Sequence, residues 1–323
     1  MKILVYGAGV IGSQICHALC KSGNDVSVIA RGSWADLLEK EGLRIHHYIQ
    51  RKDTIDHPHI LRAVDEEKYD LVFAVMQYKQ MEAILEDLAK VHSPMVVLVG
   101  NNLSASTMEE KLRFMCTDEK AILFGFGSTA GTREKGKLNT VHIGDGKLTI
   151  GKIDQEPSAA EKAVIKQAFK GSRMSIEWCD AMDAWLKYHV AAILPVVYLC
   201  YKTGCDLSKA TKADREQMLD AMKDAYDVLM ALGYPVRPKG DEKTLEKGLM
   251  NTAFKLVMYL ACKSRLGALC TTEHCKHAPK EMEDLDKAFR ELIRKKPDFP
   301  MSSFDRLYQS MPSWEEIRRI SEE

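Results

Sequence analysis

The segment KILVYGAGVIG, residues 2–12, decides the fold of the N-terminal half of the chain. Its aliphatic run is typical of a buried strand and enters a glycine turn, after which SQICHALCKSG has the pattern of a helix. In this order Gly7 permits the tight turn, Gly9 lets the backbone approach a pyrophosphate, and Gly12 lets the helix pack closely on the strand. The segment therefore predicts a dinucleotide-binding βα unit.

The amide groups at the start of this helix are expected to hold phosphates, so the whole turn is a candidate for cofactor binding. Its residues are Gly7, Ala8, Gly9, Val10, Ile11 and Gly12. The alternative is a glycine turn between packed elements with no ligand, because the motif alone is a weak signal. A second strand, DVSVIA at residues 25–30, follows at the spacing of a βαβ unit and favours dinucleotide binding.

Arg31 stands at the end of this second strand, where the sequence discriminates between dinucleotides. An NAD-binding fold usually places Asp or Glu there to accept from the ribose 2′-hydroxyl, whereas residues 30–33 of this chain are ARGS. A guanidinium is suited to a 2′-phosphate, because it offers several donors and a permanent positive charge. We therefore predict NADP(H) as the cofactor, with a solvated loop residue as the alternative interpretation of Arg31.

Further apolar runs alternate with polar helical stretches, as expected for a doubly wound parallel sheet. The runs are YDLVFAVM (69–76), PMVVLVG (94–100) and KAILFGFG (120–127). In such sheets ligands bind outside the carboxyl ends of the strands. Gln77 and Asn101 follow two of these runs, and we expect both to border the nicotinamide half of the cleft.

The pattern changes in the second half of the chain. Residues 136–152 predict two strands of a hairpin joined by Asp145-Gly146. Strand signals then give way to stretches with helical periodicity at 184–204, 212–232, 241–267 and 279–296. The prediction is an α/β Rossmann domain over residues 1–182, followed by an all-helical domain over residues 183–323.

Composition limits the class of protein. The 323 residues are 46% apolar and 28% charged, which suits a globular chain with two cores. Lys plus Arg and Asp plus Glu are equal at 46 each, so no net charge attracts nucleic acid or an anionic membrane. We find no apolar stretch long enough to span a bilayer and no signal peptide, and we therefore predict a cytoplasmic protein with no nucleic-acid or membrane partner.

The cysteines and histidines could in principle bind a metal. The nine cysteines are an odd, scattered set, which favours reduced thiols over a disulfide framework. The tightest group of ligand-type residues, Cys270, His274, Cys275 and His277, lacks paired CxxC knuckles. We predict no metal, with a structural zinc as the alternative for this group.

Taken together, these pieces resemble the ketopantoate reductase (2-dehydropantoate 2-reductase) family. The matching segments are residues 2–32, YDLVFAVMQYKQ, VLVGNN, VHIGDGKLTIGK, DAWLKYHVAAILP and HAPKEMEDL, which follow the family order across nearly the whole length. The resemblance implies an NADP-binding Rossmann domain joined to an all-helical domain. It also implies a reductase that converts a small 2-keto acid, or a related carbonyl compound, into the alcohol with NADPH.

The resemblance assigns roles to three residues. Lys187 in WLK would be the general acid that protonates the developing alkoxide, Asn101 in GNN would fix substrate and cofactor, and Glu281 in KEM would accept a hydrogen bond from a substrate hydroxyl. Each residue has a structural alternative. Lys187 could be a snorkelling residue, Asn101 a turn residue, and Glu281 part of a solvated helix start.

Three positions depart from the family pattern. Gln77 stands where the third strand of these reductases usually ends in lysine, and Lys79 would lie roughly 6.6 Å further along an extended segment. Ala191 replaces an asparagine four residues after the catalytic lysine, and the serine-rich element before the glutamate is not recognisable in CKSRLGALCTTEHCKH. These departures argue against ketopantoate itself as the substrate.

Two functional classes therefore stay open. The first is an NADPH-dependent reductase with an altered carbonyl substrate, and the second is an NADP(H)-binding protein with little catalysis, such as a redox sensor or an inactive paralogue. The apolar segment LKYHVAAILPVVYLCY also has two interpretations, as a homodimer contact or as a core helix.

Overall fold

The computed structural model of the chain describes residues 1–134 and 136–322. Contacts divide these residues into two compact units. The first contains residues 1–100 and 104–183, and the second contains residues 101–103 and those from 184 onward. The sequence did not predict that residues 101–103 belong with the second unit.

The first unit contains the strands of the structure and six helices. Its strands are β1 (Lys2–Tyr6), β2 (Asp25–Ile29), β3 (Leu43–His47), β4 (Lys52–Asp56), β5 (His59–Leu61), β6 (Leu71–Val75), β7 (Met95–Val99), β8 (Ala121–Gly127), β9 (Ala130–Glu134), β10 (Lys137–Val141), β11 (Lys147–Gly151) and β12 (Ser175–Cys179). Its helices are α1 (Val10–Lys21), α2 (Gly32–Glu41), α3 (Tyr78–Ala83), α4 (Leu85–Lys90), α5 (Ala105–Met115) and α6 (Ala159–Ala168).

Eight strands form the large sheet, in the order β12-β11-β8-β7-β6-β1-β2-β5. The strands from β8 to β5 run parallel, in the 3-2-1-4-5-6 arrangement of a Rossmann fold. Every residue of β6 and β7 is buried, which explains why these strands are continuous apolar runs. The predicted doubly wound Rossmann fold is confirmed.

The hairpin predicted over residues 136–152 is wrong. Strand β10 pairs with β3 and β9 in a separate sheet of order β4-β3-β10-β9, whereas β11 joins the large sheet beside β8 and β12. The Asp145 carboxylate is buried and accepts hydrogen bonds from Lys21 Nζ at 2.7 Å and from the Arg173 backbone amide at 2.6 Å. These contacts make Asp145 a bridge between distant segments instead of a hairpin turn.

The second unit is helical, and no strand occurs among its described residues, as predicted. Its helices are α7 (Met182–Lys202, the first two residues of which belong to the first unit), α8 (Lys212–Ala231), α9 (Leu249–Lys263), α10 (Arg265–Gly267), α11 (Glu273–His277), α12 (Pro279–Ile293), α13 (Ser302–Gln309) and α14 (Trp314–Glu322). The helix predicted over 241–267 is instead divided into a 3₁₀ turn, Asp241–Thr244, and α9, because Gly248 has a φ of +158°. The sequence analysis missed α13 and α14.

Helix α7 corrects the expectation that no segment is long enough to cross a membrane. It has 21 residues and a mean hydropathy of 1.3, and among the described residues it is the one helix that passes this test of length and composition. However, 72% of its most apolar 18-residue stretch is buried inside the structure. Helix α7 is therefore apolar because it is a core helix. Its composition gives no separate support for a homodimer.

Three buried histidines form a chain between α1 and the small sheet. His17 Nδ1 lies 2.7 Å from Asp56 Oδ2, and His47 Nδ1 lies 2.8 Å from His142 Nε2. His47 is only 1% exposed, and its other ring nitrogen shares a hydrogen bond of 2.7 Å with Thr54. Burial, together with the nearby histidines, lowers the pKa of His47 to about 3, and burial also lowers the pKa of His142.

We expect the buried histidines to make the stability of the protein sensitive to acid. His47 stays neutral in the folded state while the unfolded chain takes up a proton below the ordinary histidine pKa of about 6.5. The free energy of unfolding should therefore fall as the pH drops from about 6.5 towards 3, with His47 contributing up to roughly 1.4 kcal/mol per pH unit. Urea titrations at several pH values should show a shallower dependence in His47→Gln than in the wild type.

His59→Gln is the matched control, because the His59 side chain is 76% exposed. This variant should keep the wild-type dependence of unfolding free energy on pH. An equal dependence in His47→Gln and the wild type would contradict the prediction.

Candidate active site

The glycine turn after β1 is shaped by close backbone contacts. Gly7 has a φ of +119°, and a Cβ atom there would lie 2.2 Å from the carbonyl oxygen of Val75. A Cβ atom on Gly12 would lie 1.9 Å from the carbonyl oxygen of Gly7. Neither position accepts a side chain, so the backbone of β1, α1 and β6 can pack as closely as the motif requires.

Gly9 is different, because open space surrounds it. It is exposed and is the N-cap of α1, and no atom of the described residues lies within 4 Å of an added Cβ. In the part of the chain that the structure describes, no side chain caps the helix, which leaves the amides of its first turn, including those of Val10 and Ile11, directed at this space. An uncapped helix start beside an open glycine fits the pyrophosphate of a dinucleotide.

Trp34 fixes the remaining residue of the turn. Its indole Nε1 donates a hydrogen bond of 2.9 Å to the carbonyl oxygen of Ala8, and the Arg133 guanidinium carbon lies 5.0 Å from the centre of its ring. Sequence reasoning missed Trp34. Its place in the first turn of α2, close to Arg31, was the available signal.

Arg31 follows β2 and is the exposed N-cap of α2. Its Nη2 donates a hydrogen bond of 3.1 Å to the hydroxyl of Tyr6, which in turn donates one of 2.9 Å to Asp87 Oδ2. Burial and the Asp87 carboxylate raise the pKa of Tyr6, so the phenol is neutral. Within residues 1–134 and 136–322 Arg31 forms no ion pair, so its position is fixed while its charge stays available for an anion.

Gln77 does not lie on a strand. Strand β6 ends at Val75, and Gln77 is the exposed N-cap of α3. Lys79 therefore lies on a helix, 3.4 Å from Glu82, and the interpretation of these residues as an extended segment is wrong. Tyr78 ends the strand early because its buried ring and its 2.6 Å hydrogen bond with Ser104 Oγ turn the chain inward.

Asn101 and Glu281 meet in the second unit although 180 positions separate them. Asn101 Nδ2 donates a hydrogen bond of 3.1 Å to Glu281 Oε1. Glu281 lies in the first turn of α12 and is only 7% exposed, which rules out a solvated helix face. Asn101 Oδ1 is buried and has no hydrogen-bond partner among the described residues, so this acceptor can serve a ligand.

Lys187 lies in the first half of α7 and is 3% exposed. Its Nζ lies 4.9 Å from the ring centre of Tyr234, a distance typical of a cation–π contact. The hydroxyl of Tyr188 holds the same segment by donating a hydrogen bond of 2.9 Å to the Tyr234 carbonyl oxygen. Lys187 is therefore a buried lysine and not a snorkelling one.

The cysteines and histidines of the C-terminal half form no metal site among the residues that the structure describes. No group of three or more suitable side chains is close enough to hold an ion there, and all nine cysteines are free thiols. His274 instead lies beside Glu281, with its Nε2 3.3 Å from Glu281 Oε2. Sequence reasoning did not assign this contact, because it considered His274 only as a zinc ligand.

The comparison with protein families matches part of the first half of the chain. Residues 3–155 match the model of the family described as ketopantoate reductase PanE/ApbA. The matched residues are just under half of the chain, and over them the chain is similar to the ketopantoate reductase family. The uncharacterized oxidoreductase YkpB of Bacillus subtilis is 24% identical over 255 residues, which are 76% of this chain and 80% of that relative.

A second relative carries the family activity in its name. The 2-dehydropantoate 2-reductase of Pyrococcus abyssi is 29% identical over 260 residues, or 77% of this chain and 75% of that relative. Solved structures extend the likeness to the full length. A PanE/ApbA family ketopantoate reductase from Ralstonia eutropha has a TM-score of 0.74 at 16% identity. The superposition covers 100% of this chain and 100% of that one.

D-mandelate dehydrogenase, solved with NADH and anilino(oxo)acetate, has a TM-score of 0.72 at 16% identity, with coverage of 100% of this chain and 99% of that one. At these identities the solved structures show a common fold only. The ketopantoate reductase fold thus extends beyond the residues that match the family model.

Proposed function

We propose that this protein is an NADPH-dependent oxidoreductase that reduces a 2-keto acid or a related carbonyl compound to the alcohol. The observation that carries the proposal is the hydrogen bond between Asn101 and the buried Glu281. The family resemblance assigns a substrate contact to each of these residues. They are distant in sequence, and the fold brings them together. In this proposal residues 1–182 bind the cofactor and residues 183–323 bind the substrate.

The glycine turn and Arg31 support the choice of cofactor. The residues Gly7, Ala8, Gly9, Val10, Ile11 and Gly12 would hold the pyrophosphate, and Arg31 would pair with a 2′-phosphate. Gln77 and Asn101 would face the nicotinamide end. A bound NADPH supplies the hydride that reduces the carbonyl carbon.

The second unit would supply the proton and hold the substrate. Lys187 donates a proton to the carbonyl oxygen as negative charge develops there, and its ammonium stabilises that charge before the transfer. Asn101 Oδ1, buried without a partner among the described residues, accepts a hydrogen bond from the ligands. Glu281 accepts one from a substrate hydroxyl, since each carboxylate oxygen has two lone pairs.

Gln77 is the reason for proposing a substrate other than ketopantoate. A neutral amide stands where the family usually carries lysine, so an anionic substrate would lose one attractive charge at this position. We therefore propose a carbonyl substrate that does not need a cation there. A cytoplasmic location and a homodimer complete the proposal.

We expect Arg31→Ala to weaken NADPH binding by roughly tenfold to a hundredfold, because a charge-assisted contact is worth about 1.5–3 kcal/mol. NADH binding should not change, since NADH has no 2′-phosphate. Calorimetric titration of both cofactors measures the two effects. Arg62→Ala is the matched control, because Arg62 already pairs with Asp36 at 2.8 Å and Glu39 at 2.7 Å. Unchanged NADPH affinity in Arg31→Ala would contradict the assignment, as would tighter NADH binding by the wild type.

NADPH oxidation over a panel of 2-keto acids tests the proposed activity. We expect turnover with at least one member other than ketopantoate. Tight NADPH binding with no turnover of any member would overturn the reductase proposal and favour an NADP(H)-binding protein without catalysis.

A further inference from the structure

The segment between α9 and α12 has lost the serine-rich element of the family, and the structure shows what it contains instead. It forms the short helix α10, a π-helical turn at Ala268–Thr272, and α11. Turns of this kind occur frequently at functional sites. The segment positions His274 of α11 next to Glu281 of α12, with 3.3 Å between His274 Nε2 and Glu281 Oε2.

The two carboxylate oxygens of Glu281 have different surroundings, and Oε2 is buried with no hydrogen-bond partner among the described residues. Oε1 accepts the hydrogen bond from Asn101, and Oε2 faces the imidazole of His274. The Glu281 side chain is 5% exposed, and a buried carboxylate is costly unless a cation or a donor compensates it. A protonated His274 can supply this positive charge, because its Nε2 lies 3.3 Å from Glu281 Oε2.

The neighbouring charges around His274 are engaged with one another. On α11, Glu273 Oε1 lies 3.0 Å from Lys276 Nζ and Glu273 Oε2 lies 3.9 Å from His277 Nδ1. On α12, Lys280 Nζ lies 2.8 Å from Asp284 and 3.9 Å from Glu283. On α7, the hydroxyl of Tyr201 donates to the Cys275 carbonyl oxygen of α11, and the Cys200 thiol lies beside Cys275. Glu281 is thus the charge that acts on His274.

We propose that His274 is a positioning residue, whose imidazolium holds the buried Glu281 carboxylate in line with Asn101 for substrate binding. This inference rests on the proposed function, because it assumes that Glu281 contacts substrate. His274 acts through Glu281 and touches neither substrate nor cofactor in this account.

The direction of the pH dependence follows from the contact. Partial burial alone would lower the pKa of His274, but the close contact with the negatively charged Glu281 carboxylate outweighs it, and the pKa is raised. The ion pair is complete below the ordinary histidine pKa of about 6.5 and is lost as the pH rises through the raised value. Above that pH Glu281 lacks its cation, so the KM for the keto acid should rise while NADPH affinity stays constant.

An NMR titration tests the pairing independently of activity. The imidazole C–H signal of His274, assigned by its disappearance in His274→Gln, should titrate at a higher pH in the wild type than in Glu281→Gln. The side chain is 47% exposed, so its proton exchanges freely with solvent. Equal midpoints in the wild type and Glu281→Gln would overturn the proposed pairing.

Kinetics test the consequence for substrate binding. At about pH 6, His274→Gln should raise the KM for the keto acid roughly tenfold with little change in kcat, and the difference should vanish near pH 9. His274→Lys should keep the KM low at both values, since lysine stays charged to about pH 10. His277→Gln is the matched control, because that neighbouring side chain is 63% exposed. A KM ratio for His274→Gln that is constant with pH, or equal to one at pH 6, would overturn the inference.

The two experiments separate this inference from the proposed function. If the wild type reduces no 2-keto acid while the two histidine titrations differ, the proposed function fails and the His274–Glu281 pairing stands, but without a role in substrate binding. If turnover is seen and the titrations coincide, the reductase stands and the role of His274 is wrong.

Discussion

Replacing Lys187 by methionine should lower kcat by on the order of a hundredfold or more, with NADPH affinity unchanged. Methionine keeps most of the volume of this buried side chain and removes the ammonium that donates the proton, so the fold should persist while the chemical step slows. Stopped-flow NADPH oxidation measures the rate of the step, and calorimetry measures cofactor binding.

Lys202→Met is the matched control for this experiment. Lys202 lies on the same helix as Lys187, but its ammonium pairs with Asp214 at 2.8 Å and has no part in the proposed site. It should keep the wild-type rate. If Lys187→Met also kept that rate, the general-acid role would have to be abandoned.

The second large effect is expected at Gly9. Gly9→Ala should reduce NADPH affinity tenfold or more, because the new methyl group occupies the space that the pyrophosphate would need. The backbone at Gly9 has a φ of −75°, which alanine adopts freely, so stability should fall by no more than about 1 kcal/mol from the poorer N-cap. Calorimetric titration and thermal melting measure the two quantities.

Gly12→Ala provides the contrast. Its Cβ would collide with the carbonyl oxygen of Gly7, so this variant should lose both stability and cofactor binding. The comparison distinguishes a glycine needed for packing from one needed for a ligand. Wild-type NADPH affinity in Gly9→Ala would show that no phosphate lies at the start of α1.

The N-terminal unit could be predicted well where local pattern and tertiary structure agree. Strands β1, β2, β6 and β7 are apolar because both faces of the sheet are covered, so a run of aliphatic residues is sufficient to find them. The small sheet escaped prediction, since β4 is the polar stretch KDTID and presents no such run.

The predicted hairpin failed for a different reason. Asp145-Gly146 has good turn chemistry, but β10 pairs in parallel with β3, with Leu138 opposite Ile45. A pairing between residues so far apart in sequence leaves no signal in a local window. The same limit applies to Gln77, where the strand ends early because of contacts made by Tyr78.

The residues of the candidate site were predicted from the sequence, but the contacts between them were not. The resemblance supplied Asn101, Glu281 and Lys187, and the sequence placed none of them next to another. The structure adds the Asn101–Glu281 hydrogen bond, the Tyr234 ring beside Lys187 and the imidazole of His274. The segment around His274 matches no motif, so nothing in the sequence indicated a role for this histidine. Only the structure shows its contact with Glu281.

Transfer of deuterium from C4-deuterated NADPH to a 2-keto acid tests the central claim most directly. We predict a 2-hydroxy acid that carries deuterium on its carbinol carbon, detected by mass spectrometry, and far less of this product with Lys187→Met. Tight binding of NADPH without deuterium in the product of any carbonyl substrate offered would contradict the account.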